Sequence, residues 1–201
     1  MTNATRISVF GHAAVDPAYQ ANSAGNKVTN GALNSIDLKT ALEAQGFEVN
    51  PQLWDGIAAG TATRAQGEAP QFGGGYSVTG TATNTEENKA FYQGLANTWA
   101  NDYKDAAIVV FAREGGEGHD LLMDDVDTDG STISSLALHK DERDLLEMVR
   151  KDFDKVIVLL NSPYQMEVQD IIPYADSILF IGYPGHQSFT GVAEILKGTV
   201  N

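Results

Sequence analysis

The sequence has no cysteine, few basic residues and no long apolar run. Its 201 residues include 13 Lys and Arg against 27 Asp and Glu, which gives a formal net charge of -14. The absence of cysteine excludes disulfides, thiol catalysis and cysteine-ligated metals. Because phosphate contacts require Lys and Arg, tight nucleic-acid binding is not expected. No stretch approaches the roughly 18 apolar residues of a membrane span, so no membrane partner is predicted.

The composition is typical of a soluble globular domain. Apolar residues make up 42% of the chain and charged residues 20%, which are ordinary values. The length suits one sizeable domain over residues 1–201 and is short for two. The negative charge favours a neutral or cationic small ligand. The compartment stays open, with the cytoplasm favoured.

Strand and helix patterns alternate along the chain. Apolar runs predict strands at residues 7–11, 47–50, 106–112, 155–161 and 177–182. Apolar stripes predict helices ending at residue 45 after a cap at Asn34 or Ser35, at 86–102 after a cap at Thr85, and at 140–153, 165–173 and 190–197. This alternation predicts an α/β three-layer sandwich, a mostly parallel, doubly wound sheet of about five to six strands with helices on both faces.

The long connections lie on one side of the predicted sheet. Segments that lead from a helix into a strand are short, whereas three of those that leave a strand, residues 11–33, 50–85 and 112–139, are long. In a parallel sheet these long segments all emerge at the carboxyl edge, where ligands of open α/β sheets bind. We therefore expect a binding site at that edge.

A glycine-rich acidic segment follows the central strand. The sequence AAIVVFAREGGEGHDLL begins at Ala106, and Glu117 lies between Gly116 and Gly118. A carboxyl group held near backbone at a strand end can have a raised pKa and act as a general acid or base. Two alternatives remain open: Glu117 is an ordinary solvated loop residue, or Glu114 is the important carboxylate. Glu114 could equally pair with Arg113.

Other motifs carry less information. Asp125, Asp127 and Asp129 have the spacing of a calcium loop, but Leu136 stands where that loop needs a bidentate Glu, so a solvated acidic turn is favoured. The glycines match neither a dinucleotide nor a phosphate motif. Ser162 lacks the setting of a nucleophile elbow. No two histidines have helical metal-ligand spacing, and neither a metal nor a cofactor is predicted.

Several segments together resemble one known family. VVFAREGGEGHD, KVIVLLNSPYQMEV and ILFIGYPGHQSFTGVAEILKGTVN are similar, in this order, to the carboxyl-side α/β sandwich domain of family 3 glycoside hydrolases of the bacterial β-glucosidase type. ISVFG and ALEAQGFEVNPQLWD resemble the start of the same domain. The family usually continues beyond KGTVN, so the resemblance implies that the chain is part of a larger enzyme.

The resemblance implies that this chain supplies half of the active site of a retaining β-glucosidase. In that family a barrel domain supplies the aspartate nucleophile and most sugar contacts, and the sandwich domain lends the acid/base Glu, which is Glu117 here. Ser23 is the counterpart of a serine that touches the sugar. His186, in GYPGH after a strand, is with Arg113 and Asp120 an expected substrate-binding or orienting group. The expected partners are a β-glucoside or oligosaccharide and the barrel domain. The alternative is a non-catalytic carbohydrate-binding or flavodoxin-like ligand module.

Overall fold

A parallel β-sheet forms the middle of the structure. The structure is a computed structural model that describes residues 3–20, 35–63, 65–66, 85–115, 121–185, 187 and 189–200. Its strands are β1 (Arg6–Phe10), β2 (Glu48–Val49), β3 (Ala65–Gln66), β4 (Ala106–Glu114), β5 (Asp124–Val126), β6 (Thr132–Ser134), β7 (Val156–Asn161) and β8 (Ser177–Phe180). Its helices are α1 (His12–Val15), α2 (Leu38–Ala44), α3 (Pro51–Ala58), α4 (Lys89–Leu95), α5 (Lys140–Asp152) and α6 (Phe189–Lys197).

The sheet has the predicted parallel arrangement. Its strand order is β2-β1-β4-β7-β8, and every neighbouring pair in that order is parallel. The short strand β3 adds a parallel pairing at Arg113 and Glu114, beyond the residues of β4 that pair with β1 and β7. Strands β5 and β6 form a separate antiparallel hairpin.

Helices cover both faces of the sheet, because the side chains of each strand alternate between two apolar cores. In β4, Ile108 and Val110 pack with residues of α2 and α6 on one face. Val109 and Phe111 pack with residues of α3, α4 and α5 on the other. All nine residues of β4 are buried, which explains its uncharged run. The predicted three-layer α/β fold is confirmed.

Two helices begin later than predicted, because a different side chain caps each of them. Asp37 caps α2, accepting a hydrogen bond from the Thr40 N–H at 2.7 Å; of the two predicted caps, Ser35 does not fill this role and Asn34 lies outside the described residues. Asn88 caps α4, where Thr85 was predicted. Helix α4 ends at Leu95 and continues as one 3₁₀ turn, Ala96–Thr98. By contrast, α5 lies within one residue of its predicted bounds.

Helix α3 was not predicted, although its sequence signals are clear. Asn50 caps it by accepting a hydrogen bond from the Leu53 N–H, and Pro51 occupies the first turn, where its missing N–H costs nothing. Leu53 and Ile57, four positions apart, are both fully buried. The long connection predicted from residue 50 to 85 therefore begins with a packed helix.

Two predictions for the last third of the chain are wrong. Residues 165–173 form irregular turns in place of the predicted helix, and only scattered hydrogen bonds such as Ile171 N–H to Val168 O span them; Pro173 has no N–H to donate. Strand β8 was predicted to be buried, but it is the last strand of the sheet in the described residues. Phe180 is accordingly 53% exposed.

Candidate functional site

The carboxyl ends of β1 and β4 form the switch point of the sheet. The strand that follows β1 in this part of the sheet, β2, lies on one side of it. The strands that follow β4 in the sheet, which are β7 and β8, lie on the other side, so the direction in which strands are added reverses between β1 and β4. Connections that diverge in this way leave a crevice at the strand ends, where doubly wound domains bind ligands. Gly11 leaves β1 with φ 95°, and a Cβ on it would lie 2.3 Å from the Val110 carbonyl oxygen. The backbone after β1 is thus pressed against β4.

Arg113 fixes the end of β4 from inside the domain. Its side chain is fully buried, and all five N–H donors of the guanidinium have an acceptor. Two donate to the Glu142 carboxylate, each at 2.7 Å. The other three donate to the backbone oxygens of Ala112, Ser135 and Ala137. No donor remains for a sugar hydroxyl, so the structure gives Arg113 an internal contact in place of the expected substrate contact.

Glu142 completes this connection at the start of α5. Burial alone raises the pKa of its carboxyl, but the charge and hydrogen bonds of Arg113 outweigh burial and hold the pKa below its ordinary value. The same carboxylate accepts a hydrogen bond from the His139 N–H at 2.8 Å, which caps the helix. The carboxyl end of β4 is thereby joined to the helix that follows it.

Two tyrosines enclose Gly115, the residue that follows β4. The Tyr183 hydroxyl accepts a hydrogen bond from the Gly115 N–H at 2.8 Å and donates one to the Gly115 carbonyl oxygen. On another side, a Cβ on Gly115 would lie 2.0 Å from the Tyr164 hydroxyl oxygen. A larger residue at this position would have to displace the Tyr164 ring, and the glycine-rich segment begins from a hydrogen-bonded residue.

Asn161 joins two further strand ends at the same edge. Its side chain is fully buried at the end of β7. The amide oxygen accepts from the Ala18 N–H at 2.7 Å, while the amide nitrogen donates to the Ala18 and Gly182 oxygens at 2.9 and 2.7 Å. Nearby, the Gly185 N–H donates to the Tyr19 oxygen at 2.7 Å. The segments after β1, β7 and β8 are thus connected to one another.

Two buried carboxylates, Glu86 and Glu87, bind backbone N–H groups that follow β1 and α3. Glu86 accepts hydrogen bonds from the His12 N–H at 2.9 Å, the Glu87 N–H at 2.8 Å and the Tyr92 hydroxyl at 2.7 Å. Burial raises the pKa of Glu86 to about 8, although these donors act to lower it. Glu87 accepts from the backbone N–H groups after α3, including that of Ala62 at 2.7 Å. The Glu86 carboxylate thus binds the backbone N–H of residue 12, and α4 begins after Glu86, at Lys89.

The acidic segment around residue 127 forms a hairpin. The Asp127 carboxylate accepts from the Lys140 N–H and pairs with Arg143, and Asp129 accepts from the Ser131 N–H. Asp125 lies 3.6 Å from the ring of His139. In the part of the chain that the structure describes, no group of three acids or histidines is arranged to hold a metal ion.

Comparison with known proteins assigns the family. The model of the glycosyl hydrolase family 3 C-terminal domain matches residues 1–201. The chain belongs to this family. The resemblance expected from the sequence is confirmed. A search of curated proteins finds no significant match to the chain.

Solved β-glucosidases share the fold of this family 3 domain. The β-glucosidase 3B of Thermotoga neapolitana, in complex with α-D-glucose, has a TM-score of 0.68 and 20% identity over 100% of this chain and 26% of its own. The enzymes of Paenibacillus barengoltzii (TM-score 0.61, 23% identity, 99% and 20% coverage) and Listeria innocua with isofagomine (0.62, 16%, 100% and 22%) are also similar. The chain thus spans about a quarter or less of these relatives.

Four of the predicted site residues, Ser23, Glu117, Asp120 and His186, lie outside the described residues. Glu114 is described and is 5% exposed. Sequence reasoning missed Asn161, Tyr183 and Glu142, which hold the edge together. For Asn161 a signal existed, since a single amide ends the apolar run KVIVLLN.

Among the helices of the described residues, none is long and apolar enough to cross a membrane.

Proposed function

We propose that the chain is the acid/base domain of a retaining β-glucosidase, in which Glu117 protonates the leaving group. It forms one α/β domain of a larger enzyme that hydrolyses terminal, non-reducing β-D-glucosyl residues. The observation that carries the proposal is that the glycine-rich segment leaves the central strand at the switch point of a family 3 domain. Glu117 comes two residues after Gly115, where the described backbone is firmly anchored.

The reaction requires two carboxyl groups with separate tasks. In a retaining hydrolase one carboxylate attacks the anomeric carbon, and a second carboxyl about 5 Å away protonates the departing oxygen and later deprotonates water. The barrel domain of the complete enzyme supplies the first group, and Glu117 is the second. A boundary between two domains can bring such groups together while excluding water. Ser23, Asp120 and His186 are proposed to contact the sugar.

The experiment is a leaving-group series in the protein that carries this chain together with its nucleophile domain. Glu117→Ala should depress glycosylation most for poor leaving groups, which need protonation, and azide should restore part of the turnover. Glu114→Gln, checked for unchanged folding, is the comparison for the competing carboxylate. A uniform loss across all leaving groups in Glu117→Ala, or the selective loss in Glu114→Gln, would contradict the assignment.

The isolated 201 residues supply a second test. Because the nucleophile comes from another domain, the chain alone should not hydrolyse aryl β-glucosides faster than its Glu117→Gln variant. Turnover above that background by the pure chain would disprove the two-domain arrangement. Any trace of contaminating glycosidase is controlled by purifying both forms identically.

A non-catalytic carbohydrate-binding module is the second candidate. An open polar groove of about 460 Å³ favours it, lined by Thr61, Asn88, Thr128, Lys140 and Asp141 among others. Such a module would bind saccharides in the isolated chain, and Glu117→Ala would weaken binding without any dependence on the leaving group. Calorimetric titration of the chain with β-glucosides and oligosaccharides separates this candidate from the first.

A further inference from the structure

The hydroxyl of Tyr183 forms hydrogen bonds with a main-chain segment that is distant in sequence. It is bound to both main-chain groups of one residue, accepting from the Gly115 N–H and donating to the Gly115 carbonyl oxygen. The two residues are 68 positions apart and lie after different strands, Gly115 after β4 and Tyr183 after β8. The contact therefore fixes the exit of the central strand relative to the far side of the sheet.

The neighbours of Gly115 restrict it further. Tyr164 occupies the space where a Cβ would stand, with its hydroxyl oxygen 2.0 Å and two ring carbons 2.7 Å from that position. Immediately before Gly115, the parallel pairing of Gln66 with Glu114 and the internal hydrogen bonds of Arg113 fix the last residues of β4. Gly115 is thus held on several sides, and the Tyr183 hydroxyl holds its peptide groups directly.

We propose that Tyr183 is a positioning residue for the acid/base group, acting through Gly115 on the chain that reaches Glu117 two residues later. This inference rests on the proposed function of Glu117. A general acid must lie within hydrogen-bond reach of the leaving oxygen, and a displacement of about 1 Å can cost roughly a hundredfold in rate. A fixed starting point two residues away reduces the range of positions that the carboxyl group can occupy.

Tyr183→Phe removes the hydroxyl and keeps the ring. A net hydrogen bond of ordinary strength corresponds to about a five- to tenfold change in a local opening equilibrium, so exchange of the Gly115 amide hydrogen should accelerate by about that factor. The matched control is Tyr174→Phe, which removes a hydroxyl that donates to Glu147 at 3.2 Å, just before β8 at the opposite edge of the sheet. Amide exchange is measured by NMR on the 201-residue chain, together with the unfolding midpoint.

The kinetic arm uses the protein that also carries the nucleophile domain. Tyr183→Phe should lower kcat about tenfold for a poor leaving group such as methyl β-glucoside and little for a dinitrophenyl glucoside, with KM nearly unchanged. Tyr174→Phe should leave both substrates unaffected. A merely structural loss would instead lower the amount of active enzyme and reduce both rates by the same factor.

The outcomes separate the inference from the function on which it rests. If Gly115 exchange is unchanged in Tyr183→Phe, or if both substrates slow equally, Tyr183 is not a positioning residue, while Glu117 keeps its proposed role. If Glu117→Gln shows no leaving-group dependence, the proposed function fails and the inference fails with it, whatever the exchange data show. Faster Gly115 exchange together with selective loss for poor leaving groups supports the inference.

Discussion

Removing the charge of Glu142, the buried partner of Arg113, should destabilise the domain far more than removing the charge of Asp144, the partly exposed partner of Lys140. Glu142→Gln keeps the shape of the side chain and removes its charge. The guanidinium of Arg113 is 0% exposed and the Glu142 carboxylate 2% exposed, and two hydrogen bonds of 2.7 Å join them. After the substitution the buried cation keeps its three backbone acceptors but loses the charge of the carboxylate that pairs with it.

The structure sets the expected magnitude. Breaking a fully buried ion pair on one side costs about 3–5 kcal/mol, because it leaves an uncompensated charge. The comparison pair is Lys140 with Asp144, whose side chains are 43% and 27% exposed. For such a pair Asp144→Asn should cost less than about 1 kcal/mol. At roughly 2–4 °C per kcal/mol for a chain of this size, Glu142→Gln should lower the melting temperature by about 6–20 °C.

The assay is equilibrium unfolding in urea at neutral pH, followed by tryptophan fluorescence. A double-mutant cycle with Arg113→Met should give a coupling free energy of at least about 2 kcal/mol, because removing both charges avoids the unpaired cation. The reasoning is refuted if Glu142→Gln costs no more than Asp144→Asn, or if the two substitutions in the cycle are additive.

Two further predictions concern the edge near α1. Burial raises the pKa of Glu86 to about 8, so the folded protein retains a proton that the unfolded chain loses near its ordinary value of 4.5, and stability should fall as pH rises between these values. Glu86→Gln should flatten this slope in urea unfolding from pH 5 to 8, and equal slopes would exclude the effect. Gly11→Ala should cost at least about 1–3 kcal/mol, because the φ of residue 11 is positive and the added Cβ would meet the Val110 oxygen. Gly94→Ala, with no atom within 4 Å of its Cβ, should be neutral or stabilise α4 by up to about 1 kcal/mol; equal effects of the two alanine substitutions would contradict the glycine argument.

The fold was predictable wherever local pattern and tertiary environment agree. The runs of β4 and β7 are uncharged because both faces of these strands are covered, and the spacing of Leu145 and Val149 marks the inner face of α5. Strand β8 has a similar apolar sequence, but nothing in its own residues shows that it is the last strand of the sheet in the described part of the chain. Its exposure depends on sheet order, which lies outside the local sequence.

The location of the candidate site stays a prediction, and the contacts that support the strand end before it were not predictable. The glycines and acids after residue 112 predict a site at the end of β4, a strand that lies at the switch point of the sheet. The partners that hold it come from distant positions: Glu142 lies 29 residues beyond Arg113, and Tyr183 lies 68 beyond Gly115. A single sequence carries no signal for such pairs. The start of α4 was misplaced for the same reason, because Glu86 binds the backbone of residue 12.

The hydrogen bonds of the Asn161 amide in the described residues go to main-chain atoms of Ala18 and Gly182. A main-chain contact is indifferent to which side chains the connected segments bear farther along. The side chains on either side of Ala18 and Gly182 can therefore change in sequence without loss of the hydrogen bonds that join these segments to the end of β7.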